Sequence, residues 1–206
     1  MMSGLEVLYE DNHLLAVNKA AGLLTQPSGT DRENLEDRAK EWIRIEKKKP
    51  GAVYLHTIHR LDKPVSGIVL FARTSKALSR LNEHMREKRV TRLYHAVVDV
   101  VPRKRQATLT HWLRHRSHHA EVCSAEDEGA KKAVLEYRAV ESMAGGTLLE
   151  VKLDTGRYHQ IRAQLGAIGC PVRGDTLYGS DTKASGGGIW LHHCCLLYTS
   201  PSPRDS

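Results

Sequence analysis

His59-Arg60-Leu61-Asp62-Lys63-Pro64-Val65-Ser66-Gly67-Ile68-Val69-Leu70-Phe71-Ala72 passes from a polar, turn-prone loop into the continuous apolar run Gly67 to Ala72. A short apolar run bounded by Gly on one side and Arg on the other suits a strand buried on both faces. An acid just ahead of such a strand is pinned at a sheet edge, and Arg60, two positions away, favours its ionised form. The local alternative is an Asp62 that makes turn hydrogen bonds beside two solvated cations.

Working outward from this run, the spacing predicts an alternation of strands and helices. On its N-terminal side, Val7-Leu8-Tyr9 and Leu14-Leu15-Ala16-Val17 flank the Asp11-Asn12 turn and read as two strands. A charged helix follows from Asn34 to Lys49, with Leu35, Ala39, Trp42 and Ile43 on one face, and Pro50-Gly51 stops it. On the C-terminal side, Thr74 or Ser75 caps a helix carrying Leu78, Leu81 and Met85 and ending at Arg86 to Arg89. Strand character returns at 93–101, 132–140 and 147–153. A last helix bears Ile161, Leu165 and Ile168, with Gly169 placed as a C-terminal glycine and Pro171 beyond it. The result is a run of sheet with helices interspersed. No repeat or linker divides the chain before residue 180, so residues 1–195 read as one domain. Residues 196–206, ending Thr199-Ser-Pro-Ser-Pro-Arg-Asp-Ser206, have no apolar face and read as a disordered, non-native tail.

Composition narrows the partner. The 206 residues carry 31 Lys+Arg against 24 Asp+Glu, a formal net charge of +7, which favours a polyanion, nucleic acid ahead of an anionic membrane. No apolar run reaches the roughly 18 residues of a spanning helix, and the N-terminus is acidic where a targeting peptide would be cationic, so a soluble cytoplasmic protein is expected. The 4 cysteines form no CxxC pair and read as reduced thiols. His111, His115, His118 and His119 lack the second knuckle of a structural zinc site and read as a basic loop meeting phosphate; no metal and no cofactor is expected.

Two further segments combine charge with turns. Thr155-Gly156-Arg157-Tyr158-His159-Gln160-Ile161-Arg162 feeds the last helix, where backbone N–H groups and two arginines suit a phosphate or carboxylate, or simply a capped surface helix. Arg89 to Ala96 sets basic residues around Tyr94 on a strand, where a core tyrosine is the plainer alternative.

Together with Tyr9-Glu-Asp-Asn-His-Leu-Leu-Ala-Val-Asn-Lys-Ala-Ala-Gly-Leu-Leu24, Leu93-Tyr94, Ala96-Val97, Gly174-Asp175 and Tyr178-Gly179, these segments fall in an order that resembles the RluA-type pseudouridine synthase family. The resemblance implies an α+β fold with a mixed, mainly antiparallel central sheet flanked by helices, and cofactor-free isomerisation of uridine to pseudouridine in ribosomal or transfer RNA. It implies Asp62 as the essential carboxylate, acting on the sugar as a nucleophile or by removing the C2′ proton to give a glycal. Arg162 would pair with Asp62 and hold it ionised, while Tyr94 would pack against the uracil and be placed for proton transfer at C5. The target base must flip out of its helix, with Arg60 resembling the residue that fills the vacated space. His59, Lys19, Arg92, Arg157, His159 and Gln160 complete the expected RNA contacts of a monomer.

Three departures accompany the match. Ala20 stands where the family usually has Pro. The catalytic pattern starts at about residue 5, so the small RNA-binding module that often precedes it in the family is not expected, and the catalytic domain is expected to grip RNA alone. The pattern also breaks into the tail, which points to a C-terminal truncation. Two other readings stay open: a non-catalytic RNA-binding protein on the same fold, and a glycoside hydrolase or nucleosidase using Asp62, which lacks the second carboxylate such enzymes place across the bond.

Overall fold

The computed structural model describes residues 4–29 and 33–198. They form ten strands and three α-helices, as the α+β reading expects. The chain divides into two compact units, one running through Val90 and the other spanning Thr91–Tyr198.

In the first unit, β1 (Glu6–Glu10), β2 (Leu14–Lys19), β3 (His56–Thr57) and β4 (Ser66–Ala72) form the sheet. The β4 strand is the apolar run of the sequence, and Val69, Phe71 and Ala72 are wholly buried. It pairs antiparallel with β2, Leu15 opposite Phe71 and Lys19 opposite Gly67, and also with β3. Two amphipathic helices belong to this unit, α1 (Leu35–Glu46) and α2 (Ser75–Arg86). Each opens on a side-chain cap: Asn34 accepts from the Asp37 N–H at 2.9 Å, and Thr74 from that of Ala77 at 3.2 Å. The apolar stripe of α1 is Leu35, Ala39 and Ile43, all buried, with Trp42 only half-buried at its flank. This helix stops three residues short of the expected Lys49, because Lys48 takes a left-handed backbone (φ 48°) that ends the α-helical path.

The second unit is a sheet in the order β10-β5-β9-β8-β6-β7. The expected strands are β5 (Val90–Val98), β8 (Lys131–Met143) and β9 (Gly146–Leu153). The pairings β5–β9, β8–β9, β6–β8 and β6–β7 are antiparallel. The last helix, α3 (Gln160–Ala167), ends as expected, with Gly169 in the left-handed region (φ 71°) just past its cap. Ala163 of this helix packs against Leu113, Ala120 and Ala133.

Besides the short β3, three further strands correct the sequence reading. β6 (Gln106–His115) and β7 (Ala120–Cys123) form a hairpin where a histidine-rich loop was expected. His111 and His115 therefore stand on a strand, and only His118 and His119 lie in the turn. The sequence hides β6 because its faces are mostly half-exposed and polar, with Leu113 its one buried side chain. The third, β10 (Leu191–Tyr198), takes in residues 196–198, which the sequence reading placed in the tail; residues 199–206 lie outside the described residues.

Candidate active site

Asp62 sits half-buried on the loop between β3 and β4, and the loop is held from the β2–α1 connection. The buried Thr25 hydroxyl donates to the Leu61 carbonyl at 2.8 Å and accepts the Leu61 N–H at 3.1 Å. One side chain thus satisfies both backbone groups of the residue preceding Asp62. The Gly22 N–H reaches the Lys63 carbonyl at 2.8 Å, from a backbone at φ 87° that suits glycine. Leu61 and Val65 are buried on either side of Asp62, and the Val65 N–H donates to the Asp62 carbonyl at 3.0 Å, closing the turn.

Lys19 completes this arrangement in a way the sequence did not foresee. It is 0% exposed, and its Nζ donates to the carbonyls of Leu23 at 2.7 Å, Ala20 at 3.1 Å and Lys63 at 3.2 Å. These three acceptors match the three donors of an ammonium. Lys19 is therefore an internal strut rather than the RNA contact expected, since a buried group bonded to three carbonyls presents nothing to a phosphate. Burial holds its pKa down to about 8, against the opposing pull of the Asp62 carboxylate.

Of the other residues expected on this loop, Arg60 is exposed and available to a partner. The His59 Nε2 accepts the Leu70 N–H at 3.2 Å, which makes that nitrogen the unprotonated one and ties the loop to β4.

In the second unit, Arg162 lies buried on α3 and grips Asp175 with both edges of its fork, Nε to Oδ2 at 2.6 Å and Nη2 to Oδ1 at 2.9 Å. Asp175 is 2% exposed. A bidentate guanidinium–carboxylate pair fixes the plane of the guanidinium as well as its charge. The Arg162 guanidinium also lies 5.0 Å from the centre of the Tyr178 ring, a cation–π contact. The Tyr178 oxygen accepts the Ala120 N–H at 2.8 Å and lies 2.9 Å from Nδ1 of His159.

His159 opens α3 from a left-handed backbone, φ 50°, and its ring stacks on Tyr158 with centroids 3.9 Å apart. Burial foremost, then the nearby Arg162 charge, press its pKa to about 3, so the ring is neutral at pH 7.

Gln160 is likewise internal. Its Oε1 accepts the Thr155 hydroxyl at 2.8 Å and the Arg157 N–H at 2.9 Å, and its Nε2 donates to the Val134 carbonyl at 3.0 Å. It clamps the 155–157 turn to β8 and does not face RNA as expected. Arg157 is exposed, anchored through Nε to the Lys132 carbonyl at 3.0 Å.

Tyr94 occupies the middle of β5, buried, with Val151 opposite on β9. Arg92 lies one turn of the pleat earlier, opposite Leu153, and its guanidinium crosses Gly156 so closely that a Cβ there would stand 2.5 Å from Nη1. Burial lowers the Arg92 pKa, while Tyr94 and Asp154 oppose that shift.

Sequence reasoning missed Thr25 and gave Asp175 and Tyr178 no role, although both lie in segments it matched. A threonine in a loop carries no periodic signal, and the partner of a buried arginine is set by packing. Among the described residues no group of three His, Cys, Asp or Glu is arranged to hold a metal, and no helix is long and apolar enough to cross a membrane.

This basic α+β chain carries a half-buried Asp62 ahead of a buried strand in its first unit, and the buried Arg162 and Tyr94 in its second. The RNA pseudouridylate synthase family model matches residues 13–167, and the chain belongs to that family. It is 31% identical over 194 residues to ribosomal large subunit pseudouridine synthase D of Zymomonas mobilis, covering 93% of this chain and 59% of that protein. To the protein of the same name from Xylella fastidiosa it is 34% identical over 184 residues, covering 89% and 54%. The chain thus spans a little over half the length of these relatives. In fold it is similar to human RNA pseudouridylate synthase domain containing 4, with a TM-score of 0.78 at 22% identity, covering 94% of this chain and 84% of that one.

Proposed function

We propose that this protein isomerises uridine to pseudouridine in RNA, breaking the glycosidic bond to N1, turning the uracil and rejoining it through C5. The observation that carries the reading is the family match, which runs from residue 13 to 167 and so takes in both the Asp62 loop and the Thr155 to Arg162 segment. Residues 1–195 are taken as the catalytic domain, of which the family match covers residues 13–167. Ribosomal RNA is the proposed substrate, from the names of the relatives, with the cytoplasm as the place of action and a monomer as the acting form.

Asp62 is the essential carboxylate in either route, as nucleophile at the sugar or as the base that yields a glycal. Its loop suits this work: Thr25 and Lys19 fix the backbone on both sides, so the carboxylate needs little reorganisation when substrate arrives. Arg162 is the catalytic cation of the reaction, held in plane by Asp175. Tyr94 packs against the uracil and is placed for the proton transfer at C5. Exposed Arg60 fills the space left by the flipped base, and Arg157 and Arg92 meet phosphates.

The test uses RNA labelled with tritium at uridine C5. Wild-type protein releases tritium to water as C5 loses its hydrogen, and Asp62→Asn abolishes release while leaving RNA affinity nearly unchanged. Binding by the wild type without release favours the non-catalytic RNA-binding reading, and free uracil as product favours a nucleosidase.

A further inference from the structure

His193 lies on β10, the neighbour of β5 in the second unit, and is 0% exposed. The sequence at this point, His192-His193-Cys194-Cys195, carries no recognisable site, since adjacent residues on a strand face opposite ways. The structure separates them: Leu191 and His193 are buried, while His192 and Cys194 are half-buried. The inward ring of His193 lies against Tyr94, with centroids 4.5 Å apart and planes 29° apart. This is offset stacking between neighbouring strands, the kind of cross-strand pair that holds two rings in a common orientation. The strands are locked at this level by the Val97 N–H donating to the Trp190 carbonyl at 2.9 Å and by the Cys194 thiol reaching the Leu93 carbonyl at 3.4 Å.

We infer that His193 is a positioning residue for Tyr94: a backing ring, shut away from solvent, that fixes the plane of the tyrosine. The inference rests on the proposed role of Tyr94 at the uracil. With one face of Tyr94 covered by imidazole, the base is left the opposite face or the hydroxyl end. A buried ring cannot swing to follow the base, so the orientation that suits proton transfer is set before substrate binds. His193 touches no substrate and acts only through Tyr94.

Three variants of the full chain test this on in-vitro transcribed large-subunit ribosomal RNA labelled with tritium at uridine C5. His193→Phe keeps a flat ring and retains kcat close to wild type. His193→Leu fills the space without a ring face; it lowers kcat on the order of tenfold to a hundredfold, with KM little changed, because RNA is gripped elsewhere. His193→Met replaces it in the comparison should the leucine variant not fold. Wild-type kcat in the leucine or methionine variant overturns the inference, and so does a phenylalanine variant as slow as leucine. Tyr94→Leu, assayed in parallel, separates the two levels: undiminished turnover there sinks the role of Tyr94, whereas lost turnover beside an unaffected His193→Leu sinks that of His193 alone.

Discussion

The two regions that hold the candidate catalytic groups are built by different means. Around Asp62 the loop backbone is tied down: one threonine hydroxyl and one ammonium bond to the main chain of Leu61, Ala20, Leu23 and Lys63. Around Arg162 the ties run mainly between side chains, Asp175 to Arg162, Arg162 over Tyr178, and Tyr178 to His159. A backbone-held loop fixes where a carboxylate emerges, largely regardless of its side chain. A side-chain network fixes the charge itself, and fails once a single member is lost. The first arrangement tolerates an Asp62→Asn exchange without loss of fold; the second does not tolerate loss of Asp175.

The largest effect should come from breaking the network. Asp175→Ala takes away the bidentate partner of a buried guanidinium, and removing one member of a buried ion pair costs about 3–5 kcal/mol. Chemical denaturation is expected to show a loss of this size, and Asp175→Asn, which keeps one acceptor, a smaller one. A cost under about 1 kcal/mol for alanine would mean that the pair is not what fixes Arg162.

Breaking the backbone tie should cost less. Thr25→Val keeps the shape of the side chain but leaves the buried N–H and carbonyl of Leu61 without their shared hydroxyl, a penalty of about 1–3 kcal/mol. Turnover is expected to fall with RNA affinity kept, because the Asp62 loop loosens while the phosphate contacts stay. If stability drops and kcat does not, Thr25 serves the fold and not the carboxylate.

A third contrast lies in pH dependence, where the two regions act in separate windows. His159 has a folded pKa of about 3 against an ordinary 6.5, so between these values the unfolded chain holds a proton that the folded chain does not. Stability therefore rises with pH through that window and is lost on acidification. Lys19, at about 8 against 10.5, adds a second rise in the alkaline window by the same sign. Urea midpoints followed across both windows should show His159→Asn flattening only the acid rise and Lys19→Met only the alkaline one. Asn suits the first exchange because it tolerates the left-handed backbone at residue 159.

What could be read in advance follows the same division. The apolar run Gly67 to Ala72, the cap Thr74 and the glycine closing α3 are local signals, and each stands where the sequence put it. The β6–β7 hairpin was not legible, because a half-exposed strand rich in Thr, His and Arg draws its stability from neighbouring strands and carries no periodicity of its own. At the site, the sequence picked out Asp62, Arg162 and Tyr94 through ordered motifs, yet it read Lys19 and Gln160 as surface contacts. A charged or polar side chain looks the same in sequence whether it meets water or three carbonyls.

By itself, then, the sequence determined the class of fold, the family and the chemical types gathered in the candidate site, since periodicity, turns and motif order are properties of the chain read locally. Only the tertiary structure decided which side chains are internal struts and which are available, that Asp175 grips Arg162, and that His193 backs Tyr94. Those assignments depend on burial and on hydrogen-bond partners far apart in the chain, and both exist only once the strands and helices have packed.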